Sequence, residues 1–363
     1  MPYSSALRFK SGKGKSIRID KIRAQKKDVL HAKINHVGGI VVTFCIFFIS
    51  IIFLSVFILY KKLNENFVSA ATYGSYTSDI SSFSYIVVDS FNSNPIQLKK
   101  LNFIVLDKNS NKTLIFDIPL NIEFNLPGKF SDMSLNNSFA LGGLNSENKL
   151  DGGVALLNTT LFKMFGISVD NYILVEESLS NDVNKLLYEG KSIFPFGGLS
   201  LTKMKSSFNT SFSFKSFYQT QKFLASVPSD SFIKNNLTYD QISNPFYVDD
   251  LFEDLTLSSE IATERKTVSV LNGTELSGVA TLGSRVIKNM GGRVVSIENA
   301  LETYPNTVLI VDDPDSKTVA YIRKAFNIDN VYTKEESPFI KESSIDRSDI
   351  TLILGFDLAD KIY

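Results

Sequence analysis

The stretch Thr267-Val-Ser-Val-Leu-Asn-Gly-Thr-Glu-Leu-Ser-Gly-Val-Ala280 decides the reading of the last part of this 363-residue chain. Val268, Val270 and Leu271 make a β-branched apolar run that stops at the polar turn Asn272-Gly273-Thr274. Leu276, Val279, Ala280, Leu282, Val286 and Ile287 then recur at near-helical spacing, so the pattern predicts strand, turn, helix. Thr274 or Ser277 is expected to cap that helix. Gly278 is expected to allow a close helix–strand approach that a Cβ would obstruct. Further on, Gly291-Gly292 ends the helix, and residues 294–297 and 307–311 read as strands. Ser316 caps a helix through Val319, Ile322, Ala325 and Phe326, and residues 350–354 form a last strand. The order βαββαβ is that of a ferredoxin-like sandwich. Asp312, Asp313 and Asp315 flank Pro314 and read as a turn and cap rather than a metal cluster.

Residues 37–59 carry no charge over 23 positions and include Phe44, Phe47, Phe48, Phe53 and Phe57. At ~1.5 Å per residue such a helix spans roughly 34 Å, enough for a ~30 Å hydrocarbon layer. A signal peptide has a shorter apolar region and ends in small residues, whereas this run ends in Tyr60-Lys61-Lys62, so a retained transmembrane helix over 37–60 is expected. Ten Lys/Arg against Asp20 and Asp28 make residues 1–36 a +8 tail, and residues 63–363 sum to −10. Positive-inside bias then keeps the tail in the cytoplasm and places the rest outside the cytoplasmic membrane. The tail reads as a topology signal that touches anionic membrane lipid, not as a nucleic-acid grip.

The single cysteine, Cys45, lies in the apolar run, and both histidines, His31 and His36, precede it. Everything after residue 62 therefore lacks thiol nucleophiles, serine–histidine triads and histidine metal sites. Chemistry there must use carboxylates, Lys/Arg and hydroxyls.

Residues 61–84 are rich in Ser, Thr, Asn and Ala and read as a linker. Two domains are expected beyond it, 85–257 and 266–363. In the first, residues 85–88, 101–106 and 113–118 read as strands, the last two joined by the turn Asp107-Lys-Asn-Ser-Asn-Lys112 as a hairpin. Residues 152–165 and 216–227 have helical spacing, and 171–175 is a further strand. Strands and helices mix without regular alternation, so a mixed sheet covered by helices, an α/β (α+β) fold, is expected.

Several segments carry a resemblance: Asp89-Ser90 after a strand, Asp117-Ile-Pro-Leu-Asn121 after the hairpin, and Ser134-Leu-Asn-Asn-Ser-Phe-Ala-Leu-Gly-Gly143. Gly166-Ile-Ser-Val-Asp-Asn-Tyr172 and the late helix Phe214-Lys-Ser-Phe-Tyr-Gln-Thr-Gln-Lys-Phe-Leu224 add to it. Together they resemble the LytR-CpsA-Psr (LCP) proteins of the bacterial envelope, and the 267–280 unit resembles the opening of the LytR C-terminal domain. The resemblance implies transfer of a polyprenyl-pyrophosphate-linked glycopolymer to the cell wall, with magnesium or manganese.

This chain departs from that pattern where chemistry would sit. Phe91 follows Asp89-Ser90 where the family has Arg, and Leu120-Asn121 stands where it has Arg-Asp. No Arg occurs between Arg23 and Arg265. Diphosphate recognition favours guanidinium forks, and phosphoryl transfer needs a carboxylate for metal and hydroxyl. Lys99, Lys100, Lys203, Lys205 and Lys215 are able to attract phosphate as point charges, but read first as a solvated surface. The expectation is a pseudoenzyme with no catalytic residue and no cofactor, which binds wall glycan, polyprenyl-linked glycan or envelope proteins. Two alternatives stand beside it: an active phosphotransferase using magnesium or manganese, and a membrane-bound regulator acting through its tail. Asp89, Asp117, Asn136, Gly142 and Gly143 are the candidate ligand-binding residues. For the two aspartates the plain alternative is a strand-end carboxylate satisfied by backbone N–H groups.

Overall fold

The computed structural model describes residues 26–27, 42–55, 57, 80–128, 130–144, 146–188, 206–252 and 260–362. The chain divides into two compact units, Met1–Lys62 and Leu63–Tyr363. In the first, residues 42–55 are helical and their apolar side chains are exposed, Phe44 at 70% and Phe53 at 72%. Among the described residues no helix is long and apolar enough to cross a membrane. The rest of the expected 37–60 span, most of the basic tail and residues 61–79 lie outside the described residues.

The second unit holds two large sheets. The first has the order β7-β6-β1-β2-β3-β8, from β1 (Ile80–Val88), β2 (Leu98–Asp107), β3 (Lys112–Asp117), β6 (Asn171–Glu176), β7 (Phe208–Thr210) and β8 (Phe232–Asn236). A small hairpin, β4 (Glu123–Leu126) with β5 (Ser131–Ser134), stands apart. β1 to β3 are antiparallel neighbours, while β6 runs parallel to β1 and β8 parallel to β3. Helices α1 (Ser138–Leu144) and α2 (Lys149–Phe165) cover one face; α3 (Glu177–Tyr188) and α4 (Phe214–Ser226) cover the other. With both faces covered, alternate residues of β1 enter opposite cores. Ile86 and Val88 pack with α2, and Phe83, Tyr85 and Val87 pack with α3 and α4, so the strand reads as a continuous apolar run.

β1 begins at Ile80, which corrects the linker expected to reach residue 84. Ser82 and Ser84 are buried, and their polar groups are satisfied across the fold. The Ser82 N–H donates to Asp170 Oδ2 at 3.1 Å, its hydroxyl donates to the Ser168 carbonyl, and the Ser84 hydroxyl donates to Asn158 Oδ1 at 2.7 Å. A serine-rich stretch is not exposed when tertiary partners take its hydroxyls.

The first core is filled by aromatic rings. Phe103 and Phe116 lie 4.8 and 5.1 Å from Phe165, and Phe116 lies 5.3 Å from Phe252. α1 and α2 cross at glycines: a Cβ on Gly142 would stand 2.3 Å from the Gly152 carbonyl oxygen.

Short helices α5 (Tyr239–Ile242), α6 (Pro245–Asp250) and α7 (Glu260–Glu264) lead to the second sheet. It comprises β9 (Thr267–Asn272), β10 (Arg293–Asn299), β11 (Val308–Val311), β12 (Asn330–Thr333) and β13 (Ile350–Leu354), in the order β10-β9-β13-β11-β12. α8 (Val279–Asn289), α9 (Lys317–Phe326) and α10 (Phe356–Ile362) pack on one face. On the opposite face, Leu271, Val308, Ile310, Ile353 and Tyr332 of the strands are covered by Tyr304, Ile340 and Ile345.

The expected order of strands and helices is present, but the ferredoxin-like arrangement is not. That fold splits its βαβ units with an intervening strand. Here β9 and β10 pair directly in parallel, and β13 lies between β9, parallel to it, and β11, antiparallel to it. All five residues of β13 are buried, so it takes a central place with a partner on each side. A fifth strand, half-buried β12, closes the far edge beside β11.

Two local expectations also change. α8 is capped by Gly278 at φ +86°, not by Thr274 or Ser277. The Thr274 hydroxyl instead donates to Asn272 Oδ1 at 2.7 Å and accepts from the Leu276 N–H, closing the turn. Gly278 is exposed, and its role is the left-handed backbone. The close helix–sheet approach falls to Gly283, where a Cβ would stand 2.5 Å from Leu354 Cδ1.

The two sheets are joined by packing and polar bonds. Phe162 of α2 enters the second core and meets Phe326 edge-on at 6.2 Å. Arg285 Nε of α8 donates to Asp249 Oδ1 of α6 at 2.6 Å.

Candidate functional site

The candidate residues fall into two groups along the first sheet. Asp89 follows β1, and its Oδ1 accepts from the Gln97 N–H at 2.9 Å. Burial raises its carboxyl, but the N–H groups of Gln97 and Ser90, the Ser93 hydroxyl and the Lys99 charge outweigh that and hold it below the usual carboxylate range. Glu176 ends the neighbouring β6, level with Val88. Its Oε1 accepts from the Phe91 N–H at 2.7 Å and the Ser90 hydroxyl at 2.8 Å, and Oε2 accepts from the Ser207 hydroxyl at 2.7 Å. Burial pushes this carboxyl up, but the Ser207, Phe91 and Ser90 donors overcome burial and the nearby Asp89 charge, so it too lies low. A general acid or base is most effective with a pKa near the working pH. These two carboxylates are held ionised as acceptors and tie strand ends together.

Asp117 belongs to a different group. The register aligns Tyr85 with Asn102 and Asn102 with Asp117. Asp117 is thus two strands across from β1 and four residues short of Asp89. At ~4.8 Å between strands and ~3.3 Å per residue, the two aspartates stand about 16 Å apart, too far to share one reacting group.

Around Asp117, on the face shared with α3, the apolar core gives way to polar side chains. Asn102 Nδ2 donates to Asp117 Oδ1 at 3.2 Å, and the Tyr188 hydroxyl donates to Asn102 Oδ1 at 3.4 Å. Lys100 Nζ lies 5.8 Å from the Tyr188 ring centroid and 6.0 Å from that of Tyr85, and Lys234 Nζ lies 5.4 Å from Tyr188. Burial, and then the Asp117 charge, raise the Tyr188 phenol; burial, and then Tyr188, raise that of Tyr85. Both rings stay neutral and present π faces to the two ammonium groups. Neither lysine has an ion-pair partner among the described residues. The patch therefore joins two cations, one carboxylate, two phenols and an amide.

Asn136 is exposed in a 3-10 turn, its N–H bonded to the Leu120 carbonyl at 2.9 Å. Gly142 and Gly143 are buried in the α1–α2 crossing, so they shape packing and expose nothing to a ligand. Lys99 is exposed and donates to Gln97 Oε1, and Lys215 is exposed; Lys203 and Lys205 lie outside the described residues. Among the described residues no group of three or more Asp, Glu, His or Cys is placed to hold a metal ion.

Glu176, Tyr188 and Lys234 were not among the candidates. An acid directly after the buried run of β6 is the same signal that singled out Asp89 and Asp117. Tyr188 and Lys234 had none, because their meeting with Lys100 depends on sheet order.

No family model and no curated protein matches the chain. Solved structures match part of it. It is similar to "TagT bound to LIIa-WTA" at 15% identity and a TM-score of 0.31, over 44% of this chain and 79% of that one. It is similar to the transcriptional regulator yvhJ from Bacillus subtilis at 12% identity and a TM-score of 0.33, over 45% and 84%. The third is the LytR-CPS2A-psr family protein YwtF (TagT) with bound octaprenyl pyrophosphate lipid, at 14% and 0.22, over 68% and 91%. The likeness covers part of the chain.

Proposed function

We propose that this is a single-pass envelope protein whose first sheet binds a phosphate-bearing wall or lipid-linked glycan without transferring its phosphate. The observation that carries the binding half is the lysine pair over Tyr188. Two ammonium groups held against aromatic faces, with one nearby carboxylate, leave positive charge available to an anion. The non-catalytic half is supported by the ionised, fully engaged Asp89 and Glu176, by the roughly 16 Å between Asp89 and Asp117, and by Leu120-Asn121. The absence of Arg from 24 to 264 supports it as well. Anchoring by residues 37–59, with the tail in the cytoplasm, is supported by the charge-free run and the exposed apolar helix 42–55.

Polyprenyl diphosphate titrated into the full chain in detergent is expected to bind, and Lys100→Met with Lys234→Met to weaken it about tenfold or more. Unchanged binding would reject the patch. Phosphate release from a lipid-linked substrate with magnesium or manganese, lost on Asp117→Ala, would reject the non-catalytic reading in favour of the transferase.

A further inference from the structure

Away from the lysine patch, a crevice opens at the carboxyl ends of the parallel strands β9 and β10, with a volume of about 390 Å³. That is within the ~300–1,000 Å³ range of small-ligand clefts, and strand carboxyl ends are where open α/β sheets place ligands. One wall is the Asn272–Ser277 turn and the other is the segment 299–303 after β10.

Both walls are fixed. The Ala300 N–H donates to the Asn272 carbonyl at 2.9 Å, and the Tyr304 N–H donates to the Gly273 carbonyl at 2.7 Å. Gly273 is required in this join: a Cβ there would lie 2.9 Å from both the Leu354 carbonyl oxygen and Tyr304 Cδ2. Beneath the second wall, the buried Glu342 accepts the Leu301 N–H on both oxygens, at 2.9 and 3.1 Å, and the Tyr304 hydroxyl at 3.1 Å.

The side chains facing the opening are not used by the fold. Glu275, Ser277, Asn299, Glu302 and Thr303 line it, and none has a hydrogen-bond or ion-pair partner among the described residues. Leu276 and Leu301 add exposed apolar surface, 38% and 73%. No Lys or Arg lines the crevice. The N-terminus of α8 contributes roughly half a positive charge, against two full carboxylates, so the balance is negative and disfavours phosphate. A ligand that satisfies this lining carries a cation and several hydroxyl or amide groups in a small volume.

We propose that the crevice binds an amine-bearing saccharide. Its ammonium group pairs with Glu275 and Glu302, its hydroxyls meet Ser277, Asn299 and Thr303, and a ring face rests on the leucines. This reading is independent of the lysine patch on the first sheet, which has the opposite charge.

The test is calorimetric titration of the full chain in detergent with a β-1,4-glucosamine tetrasaccharide, its fully N-acetylated form and tetralysine. The amine form is expected to bind, and the other two to bind more weakly. Glu275→Gln with Glu302→Gln should weaken it roughly three- to thirtyfold, the range two exposed charge contacts supply. Both glutamates are exposed and unpartnered, so the melting temperature of this variant should be unchanged. The proposal is overturned if the amine form does not bind, if the N-acetylated form or tetralysine binds as well, or if the double variant binds like the parent.

Discussion

Asp249→Ala should uncouple the two sheets more than its place on a short surface helix suggests. Asp249 Oδ1 accepts from Arg285 Nε at 2.6 Å and from Asn289 Nδ2 at 2.8 Å. Both donors lie on α8 and also bond α2: Arg285 Nη1 to the Lys163 carbonyl at 3.2 Å, and Asn289 Nδ2 to the Phe165 carbonyl at 2.9 Å. The Arg285 side chain is only 13% exposed, and its Nη2 is buried without a partner. Removing the carboxylate leaves a nearly buried cation uncompensated. For a fully buried pair that costs ~3–5 kcal/mol. Asp249 is 29% exposed, so water partly replaces it and ~2–3 kcal/mol is expected. Arg285→Met should cost less, because Asp249 keeps its bond to Asn289 and its solvent. Combined with Asp249→Ala it should recover ~1–2 kcal/mol of the sum. The assay is urea denaturation of residues 63–363, followed by circular dichroism. An Asp249→Ala loss below ~0.5 kcal/mol, the range of ordinary surface changes, would refute the bridge.

Three further outcomes are expected. Gly283→Val should destabilise by ~1–3 kcal/mol through overpacking against Leu354, and a melt unchanged from the parent would remove that role. Gly278→Val should be destabilising and Gly278→Asn much milder, because the requirement there is a left-handed backbone that Asn tolerates; equal losses would point to packing instead. Glu264 reaches from α7 to the start of α9, where burial raises its carboxyl but the Thr318 hydroxyl and N–H, the Lys317 N–H and the Ser316 hydroxyl bring it from 4.5 down to about 2. A carboxyl lowered by folding adds stability above its unfolded value, and that stability is lost as pH falls from 4.5 to about 2. In Glu264→Gln the urea midpoint should lose that part of its acid dependence, and an identical acid slope would reject the cap.

What was legible in the sequence was local. Side-chain period alone marks β1 to β3, β9, β11 and β13, because a buried strand or helix face must be apolar at fixed intervals. The hairpin at 107–112, the Ser316 cap and the stop at Gly291-Gly292 follow from turn and cap chemistry over a few residues. The missing arginines, and the substitutions at Leu120 and Asn121, need no coordinates at all. Tertiary structure decided everything that depends on which distant segments meet. It buried Ser82 and Ser84 by supplying Asn158, Ser168 and Asp170 as partners. It set β9 beside β10, where spacing alone had suggested a split arrangement. It put Asp89 with Glu176 and moved Asp117 to Lys100, Lys234 and Tyr188. Register is the physical reason: pairing two strands selects one offset among several with similar alternation, and each step moves a side chain by about 3.3 Å and to the opposite face. Composition names the groups available, but only that offset decides which of them share a site.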